Sequence, residues 1–228
     1  MNKQKALRII EENRKSYDKI AADFDVTRKF KWPEFELLSP YIKKGDKILD
    51  IGSGNGRLYE YINYELRITN YEYIGIDQSE GQIKVAKKKF PKAKFEVVED
   101  VQKLPFKDDC FDIVMGIAFL HHIPSQDLQL RVVREMYRVL KPGGNLFMTN
   151  WNLWQWNRIK KYKFRLRDFF FSHNGLDRGD FAITFHGARR YYHHFRKREL
   201  VLLCKKVGFK ILDFKLGMNS VIILKKPL

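Results

Sequence analysis

Lys47-Ile48-Leu49-Asp50-Ile51-Gly52-Ser53-Gly54-Asn55-Gly56 decides the reading of this chain. A short apolar run stops at an acid, and glycine then occupies every second position of a tight loop. Working outward, similar short runs recur at 73–76, 95–98, 111–117 and 145–149. None alternates cleanly between apolar and polar residues, as expected of strands covered on both faces. Helical stretches at 82–90 and 127–140 separate them, and Leu128, Val132, Met136 and Leu140 form an apolar stripe on the second. A helix at 198–207 and two further runs, 210–214 and 221–224, complete the pattern. Strand–helix alternation of this kind predicts an α/β fold with a doubly wound, mostly parallel sheet of seven strands.

Composition sets the bounds. The chain has 228 residues, 44 Lys+Arg against 27 Asp+Glu, and a net charge of +17. With 44% hydrophobic and 14% aromatic residues it is a globular mixture, not a disordered one. The longest uncharged apolar run, 113–120, is far short of the roughly 20 residues needed to span a bilayer. No apolar signal segment opens the sequence, and Cys110 and Cys204 stand alone, so a reducing, cytoplasmic setting is expected. No His/Cys/carboxylate cluster has metal-ligand spacing, and no metal is expected. Residues 1–45 read as a helical cap, with Pro33 placed to open a helix. Residues 151–196 break the strand–helix rhythm and read as one insertion within a single domain over 1–228.

Ligands of open α/β sheets bind outside the carboxyl ends of the strands. The first run ends at Asp50 and the glycine loop, the second at Asp77, the third at Asp100-Val101, and the fourth at Ile117-Ala118. The loop is not a dinucleotide fingerprint, because Arg57 stands where the third glycine would fall. Nor is it a phosphate-binding loop, for no Gly-Lys-Ser/Thr follows. An acid just before the loop repels phosphate and attracts an ammonium or sulfonium group. Asp77, 21 residues beyond Gly56, suits both hydroxyls of a ribose, and Asp100 suits an adenine amino group. A cationic adenosine derivative, S-adenosylmethionine, fits this set.

Asp50–Gly56, Asp77 and Asp100 resemble the cofactor motifs of the class I methyltransferases, which have a Rossmann-like sheet. Tyr17-Asp18-Lys19-Ile20-Ala21 and Leu120-His121-His122 resemble their type 11 subgroup. The resemblance implies that Asp50 and Gly52 lie by the methionine portion, that Gly54 and Gly56 complete the loop, and that Asp77 holds the ribose. It places Asp100 and Val101 around the adenine, and Ile117 and Ala118 on the fourth-strand side.

The substrate reading rests on other segments. Residues 151–196 hold ten Lys+Arg, three Asp+Glu and 13 aromatic residues, with six cations between Arg158 and Arg167. Cations interleaved with Trp156, Tyr162 and Phe164 suit phosphate contact and base stacking. A basic lid over a small acid is the alternative, and a non-catalytic RNA-binding module a third reading. The segments 27–33 and 189–195 resemble the Trm-nine-type wobble-uridine tRNA methyltransferases, which esterify a carboxymethyl group on the anticodon. That resemblance implies substrate-side roles for Arg28, Trp32, His122 (or His121), Arg190 and Tyr192. It also implies tRNA and a small zinc-binding activator protein as partners. His193 and His194 are expected at the surface.

Overall fold

The computed structural model describes residues 1–27, 32–66, 68, 70–173 and 175–228. Strands β1 (Lys47–Ile51), β2 (Glu72–Asp77), β3 (Lys94–Val97), β4 (Phe111–Ile117) and β5 (Leu140–Trp151) pair in parallel. After a hairpin of β6 (Asp180–Phe185) and β7 (Ala188–His193), the chain returns with β8 (Lys210–Leu216) and β9 (Asn219–Lys225). The seven-stranded sheet runs β3-β2-β1-β4-β5-β9-β8, with β9 antiparallel to both its neighbours. Strand order reverses between β1 and β4. A crevice opens there at the carboxyl edge, which is where the glycine loop lies.

Helices α3 (Arg57–Tyr64), α4 (Glu80–Lys89), α5 (Gln126–Val139) and α7 (Lys197–Val207) accompany the strands. The apolar stripe predicted on the second helical stretch is buried, with Leu128, Val132, Met136 and Leu140 all in one core cluster. A second cluster, including Ile48, Ile113, Met115, Phe147 and Ile223, forms around the same strands. Neighbouring residues of β1 divide between the two, Ile48 in one and Leu49 in the other, which is why the strands read as apolar without alternation.

The cap consists of α1 (Lys3–Lys19), α2 (Ala21–Thr27) and short 3₁₀ turns. Pro33 opens a five-residue 3₁₀ helix, not an α-helix. Asp18, at the end of α1, accepts hydrogen bonds from Ser79 Oγ (2.6 Å) and Gly81 N (3.0 Å). The cap is thereby pinned to the first turn of α4.

The insertion has more order than its sequence suggests. It holds α6 (Trp156–Tyr162), a 3₁₀ turn at Leu166–Phe169 and the β6–β7 hairpin around a small core of Leu153, Phe169, Phe181, Ile183 and Tyr192. The expectation that His193 lies at the surface is overturned. It is buried at 4% exposure, with Nδ1 2.7 Å from Asp180 and Nε2 3.1 Å from Glu199. The sequence shows two adjacent histidines but not the two acids that fold onto one of them. His194 is half-buried, and its Nδ1 accepts a bond from Leu153 N.

Candidate active site

One cavity at the carboxyl edge joins the glycine loop, the end of β2, the turn after β4, the inner face of α1 and the β7 side of the hairpin. On its floor Asp50 is 1% exposed. Tyr73 donates to its Oδ2 at 2.6 Å, while Oδ1 has no partner among the described residues. Burial, opposed by the Tyr73 bond and reinforced by Asp77, lifts its carboxyl to about 7. A half-satisfied buried carboxylate is costly unless a cation completes it.

The loop geometry explains its glycines. Gly52 has φ +75°, and a Cβ there would lie 2.6 Å from Phe119. Gly54, at φ +53°, donates its N–H to Asp77 Oδ2 at 2.9 Å. Ser79 N donates to the other oxygen, also at 2.9 Å. Asp77 is thus fixed by two backbone donors and still borders the cavity. Burial raises its carboxyl despite those donors. Gly56 lies off the cavity wall, its missing Cβ leaving room for Phe90 and Phe95.

Val101, Ile117 and Ala118 also line the cavity. Ala118 has φ +52°, a left-handed conformation rare without glycine, held by its N–H bonding to the Thr149 carbonyl and Oγ1. Asp100 is exposed and away from the wall, and its carboxylate accepts from Gln102 N. The strand β3 ends at Val97, so the acid stands in a turn beyond it. Gln82 was not foreseen. It is 1% exposed, lines the cavity, and both amide atoms lack partners among the described residues. Its place one turn into α4, after the acid that ends β2, was the only available signal.

The residues present fit S-adenosylmethionine. An open carboxylate oxygen faces the pocket for a cation, backbone without Cβ atoms lets a ligand come close, and an unused amide supplies further polar contacts.

On the far side of the cavity, Trp32, His121, His122, Arg190 and Tyr192 come together. Arg28 lies outside the described residues. Trp32 is half-buried, 5.9 Å from the Phe35 ring, with the Arg57 guanidinium 4.7 Å over it. Arg190 is 2% exposed, and among the described residues it has no carboxylate partner. Its guanidinium stands over the rings of Phe185 (5.1 Å), Tyr192 (5.4 Å) and Tyr17 (5.5 Å). One nitrogen donates to Tyr17 OH at 3.3 Å, and Nε has no partner among the described residues.

His122 is fully used. Its Nδ1 lies 2.9 Å from the Tyr191 carbonyl, which can only accept, so Nδ1 carries the proton and Nε2 accepts from Tyr17 OH at 2.9 Å. Burial pushes its pKa down to about 3. His121 Nδ1 accepts from Trp151 N, which leaves the proton on Nε2, unpartnered among the described residues. Burial also keeps His121 neutral. Tyr192 stacks on His121 at 5.2 Å and 11°. Asn13 of α1, another residue the sequence did not flag, accepts from Tyr191 N at 2.7 Å and ties cap to hairpin.

Comparisons with known proteins agree with this geometry. A family model described as a methyltransferase domain matches residues 49–148. A putative methyltransferase of Encephalitozoon cuniculi is 31% identical over 201 residues, 86% of each chain. The tRNA (carboxymethyluridine(34)-5-O)-methyltransferase of Schizosaccharomyces pombe is 30% identical, covering 86% of this chain and 88% of that protein. The alignment spans only 31% of the Arabidopsis thaliana protein of the same name. A solved SAM-dependent methyltransferase from Methanosarcina mazei superposes with a TM-score of 0.71 at 27% identity, over 87% of this chain and 99% of that one. The glycine loop, the orphaned acid beneath it and these relatives converge: the chain belongs to the S-adenosylmethionine-dependent class I methyltransferases, in the family that includes the fission-yeast tRNA (carboxymethyluridine(34)-5-O)-methyltransferase.

Proposed function

We propose that this methyltransferase esterifies a carboxylate carried on a modified wobble uridine of tRNA. One observation carries the choice of a carboxylate: Arg190, buried among aromatic rings beside the cofactor cavity with no acid among the described residues to neutralise it. A guanidinium cannot shed its charge, so such a site is completed by an anionic ligand. The names of relatives at about 30% identity support the tRNA context.

Bound S-adenosylmethionine supplies a methyl group on a sulfonium, activated toward displacement. Asp50 holds a negative charge beneath the cofactor, and Asp77, Gln82 and the loop backbone orient it, with Val101, Ile117 and Ala118 as apolar walls. In this reading Gly56 shapes the loop through packing, and Asp100 acts at the adenine only if its turn rearranges. Arg190 orients the acceptor carboxylate by paired hydrogen bonds. A carboxylate oxygen has a lone pair ready to attack, so no proton has to be removed. His122, with both nitrogens engaged, serves by holding Tyr17 under Arg190. His121 Nε2–H offers a donor to the acceptor. Trp32 supplies a face for a base splayed from the anticodon loop, Tyr192, buried and stacked on His121, backs the pocket wall, and Arg28 belongs to the same substrate group. Catalysis is then positioning and exclusion of water. The small zinc-binding activator belongs to this reading on the strength of the sequence resemblance alone.

The test is transfer of labelled methyl from S-adenosylmethionine to bulk tRNA, followed by nucleoside mass spectrometry. A methyl ester, released by mild alkali, is expected at one uridine. Alkali-stable label, or label appearing only in small acids, overturns the reading.

A further inference from the structure

A second guanidinium stands beside the same aromatic wall. Arg158, in the first turn of α6, is half-buried, and among the described residues no carboxylate contacts it, although Glu34 attracts it from a distance. Its Nη1 donates to the Asn152 carbonyl at 3.2 Å, and its plane lies 4.7 Å over the Trp151 ring. Trp151 lines the active-site cavity and sits 5.0 Å from Tyr192, over which Arg190 rests at 5.4 Å. Two cations without a contacting acid among the described residues therefore flank one pair of rings. The nearer one borders the cavity. The farther one opens the basic run that continues through Lys160, Lys161, Lys163, Arg165 and Arg167.

We infer that Arg158 is a phosphate site for the target nucleotide, gripping the phosphate attached to the same nucleoside whose base substituent reaches Arg190. This rests on the carboxylate reading above and extends it. The physical case has three parts. Keeping a guanidinium partly out of water with no acid in contact is unfavourable, which leaves it poised for an anion. The two cations lie on one pair of tilted rings, Tyr192 buried and Trp151 partly open to the cavity, so a nucleoside entering past Trp151 presents its base substituent to one and its phosphate to the other. The planar fork of arginine matches two phosphate oxygens. Stacking on Trp151 also fixes its orientation. The exposed cations beyond it lack that rigidity and suit neighbouring phosphates only as a diffuse field.

The experiment is calorimetric titration of the protein, saturated with S-adenosylhomocysteine, with four probes: 5-carboxymethyluridine, its 3′- and 5′-monophosphates, and unmodified uridine monophosphate. At least one monophosphate is expected to bind about tenfold more tightly than the nucleoside, one charge-assisted contact. In Arg158→Gln that ratio falls to near one, and in Arg158→Lys it is intermediate. Arg190→Gln weakens carboxymethyl probes relative to unmodified ones and keeps the phosphate preference. Thermal melting of each variant shows whether it is folded. Equal affinity of nucleoside and monophosphates in the native protein, or an unchanged ratio in a folded Arg158→Gln variant, overturns the phosphate site. A retained phosphate preference with no gain from the carboxymethyl group leaves the phosphate site standing and sinks the carboxylate reading. Binding of no probe sinks both.

Discussion

Arg190 and Asp50 are buried charges of opposite sign on opposite sides of one cavity, and each lacks a full complement of partners. Replacing Arg190 by Ala should cost about 2–5 kcal/mol of acceptor binding and orientation, the usual penalty for unpairing a buried ion. Turnover should therefore fall by at least tenfold while S-adenosylmethionine affinity stays within about twofold. Calorimetry and methyl transfer read the two separately. Asp50 makes a pH prediction. Its folded pKa, about 7, is above the ordinary 3.8. Its contribution to the stability of the unliganded protein is thus complete below 3.8 and is lost as pH rises through about 7. A cationic cofactor selects the ionised form. Affinity should therefore climb as pH approaches 7 and level off above it, with proton release on binding below 7. Titration in two buffers of different ionisation enthalpy measures that proton, and Asp50→Asn should abolish it.

At the scale of elements, the hairpin β6–β7 carries Arg190, Tyr191 and Tyr192 into the site, and its position depends on a clasp that the sequence hides. His193 is held between Asp180 and Glu199, and Tyr191 OH donates to the same Asp180 oxygen at 2.6 Å. Desolvation opposes the charged imidazole, but bonds to Asp180 and Glu199 outweigh it and raise its pKa to about 9. The stability from this clasp is complete below about 6.5 and is lost as pH rises through about 9. The melting temperature should drop across that interval in the native protein and stay flat in His193→Gln. On β1 the glycine loop gives a second test. Gly52→Ala places a Cβ against Phe119 in a left-handed conformation. The expected loss is about 1–3 kcal/mol of stability, with weakened cofactor binding, read by denaturant melts with and without S-adenosylhomocysteine.

Across the whole molecule, the net charge of +17 is concentrated in part beside the site. Residues 151–196 alone carry ten cations against three acids. Trp156, Phe170 and Phe171 are exposed among these cations, with Lys160 5.2 Å over the Trp156 ring. Affinity for tRNA should fall steeply with salt, with a log–log slope of several units, whereas S-adenosylmethionine binding should hardly respond. Neutralising Lys160, Lys161 and Lys163 together should flatten the tRNA slope and leave cofactor affinity intact. An unchanged slope would move the RNA surface away from α6. Among the described residues no helix is long and apolar enough to cross a membrane.

The sequence by itself determined the sheet, the glycine loop and the acids at the ends of β1 and β2. Those features are local: apolar runs, an acid at a strand end and residues without Cβ are visible within a few positions. Tertiary structure decided what depends on distant partners. It set Asp100 in an exposed turn, turned His193 from an expected surface residue into a buried clasp, and engaged both nitrogens of His122. Among the described residues it also left Arg190 and Arg158 without an acid in contact. Whether a charge is paired is a property of the space around it, filled by chain as far as 185 residues away, as the Asn219–Glu34 bond shows. No spacing along the sequence encodes that.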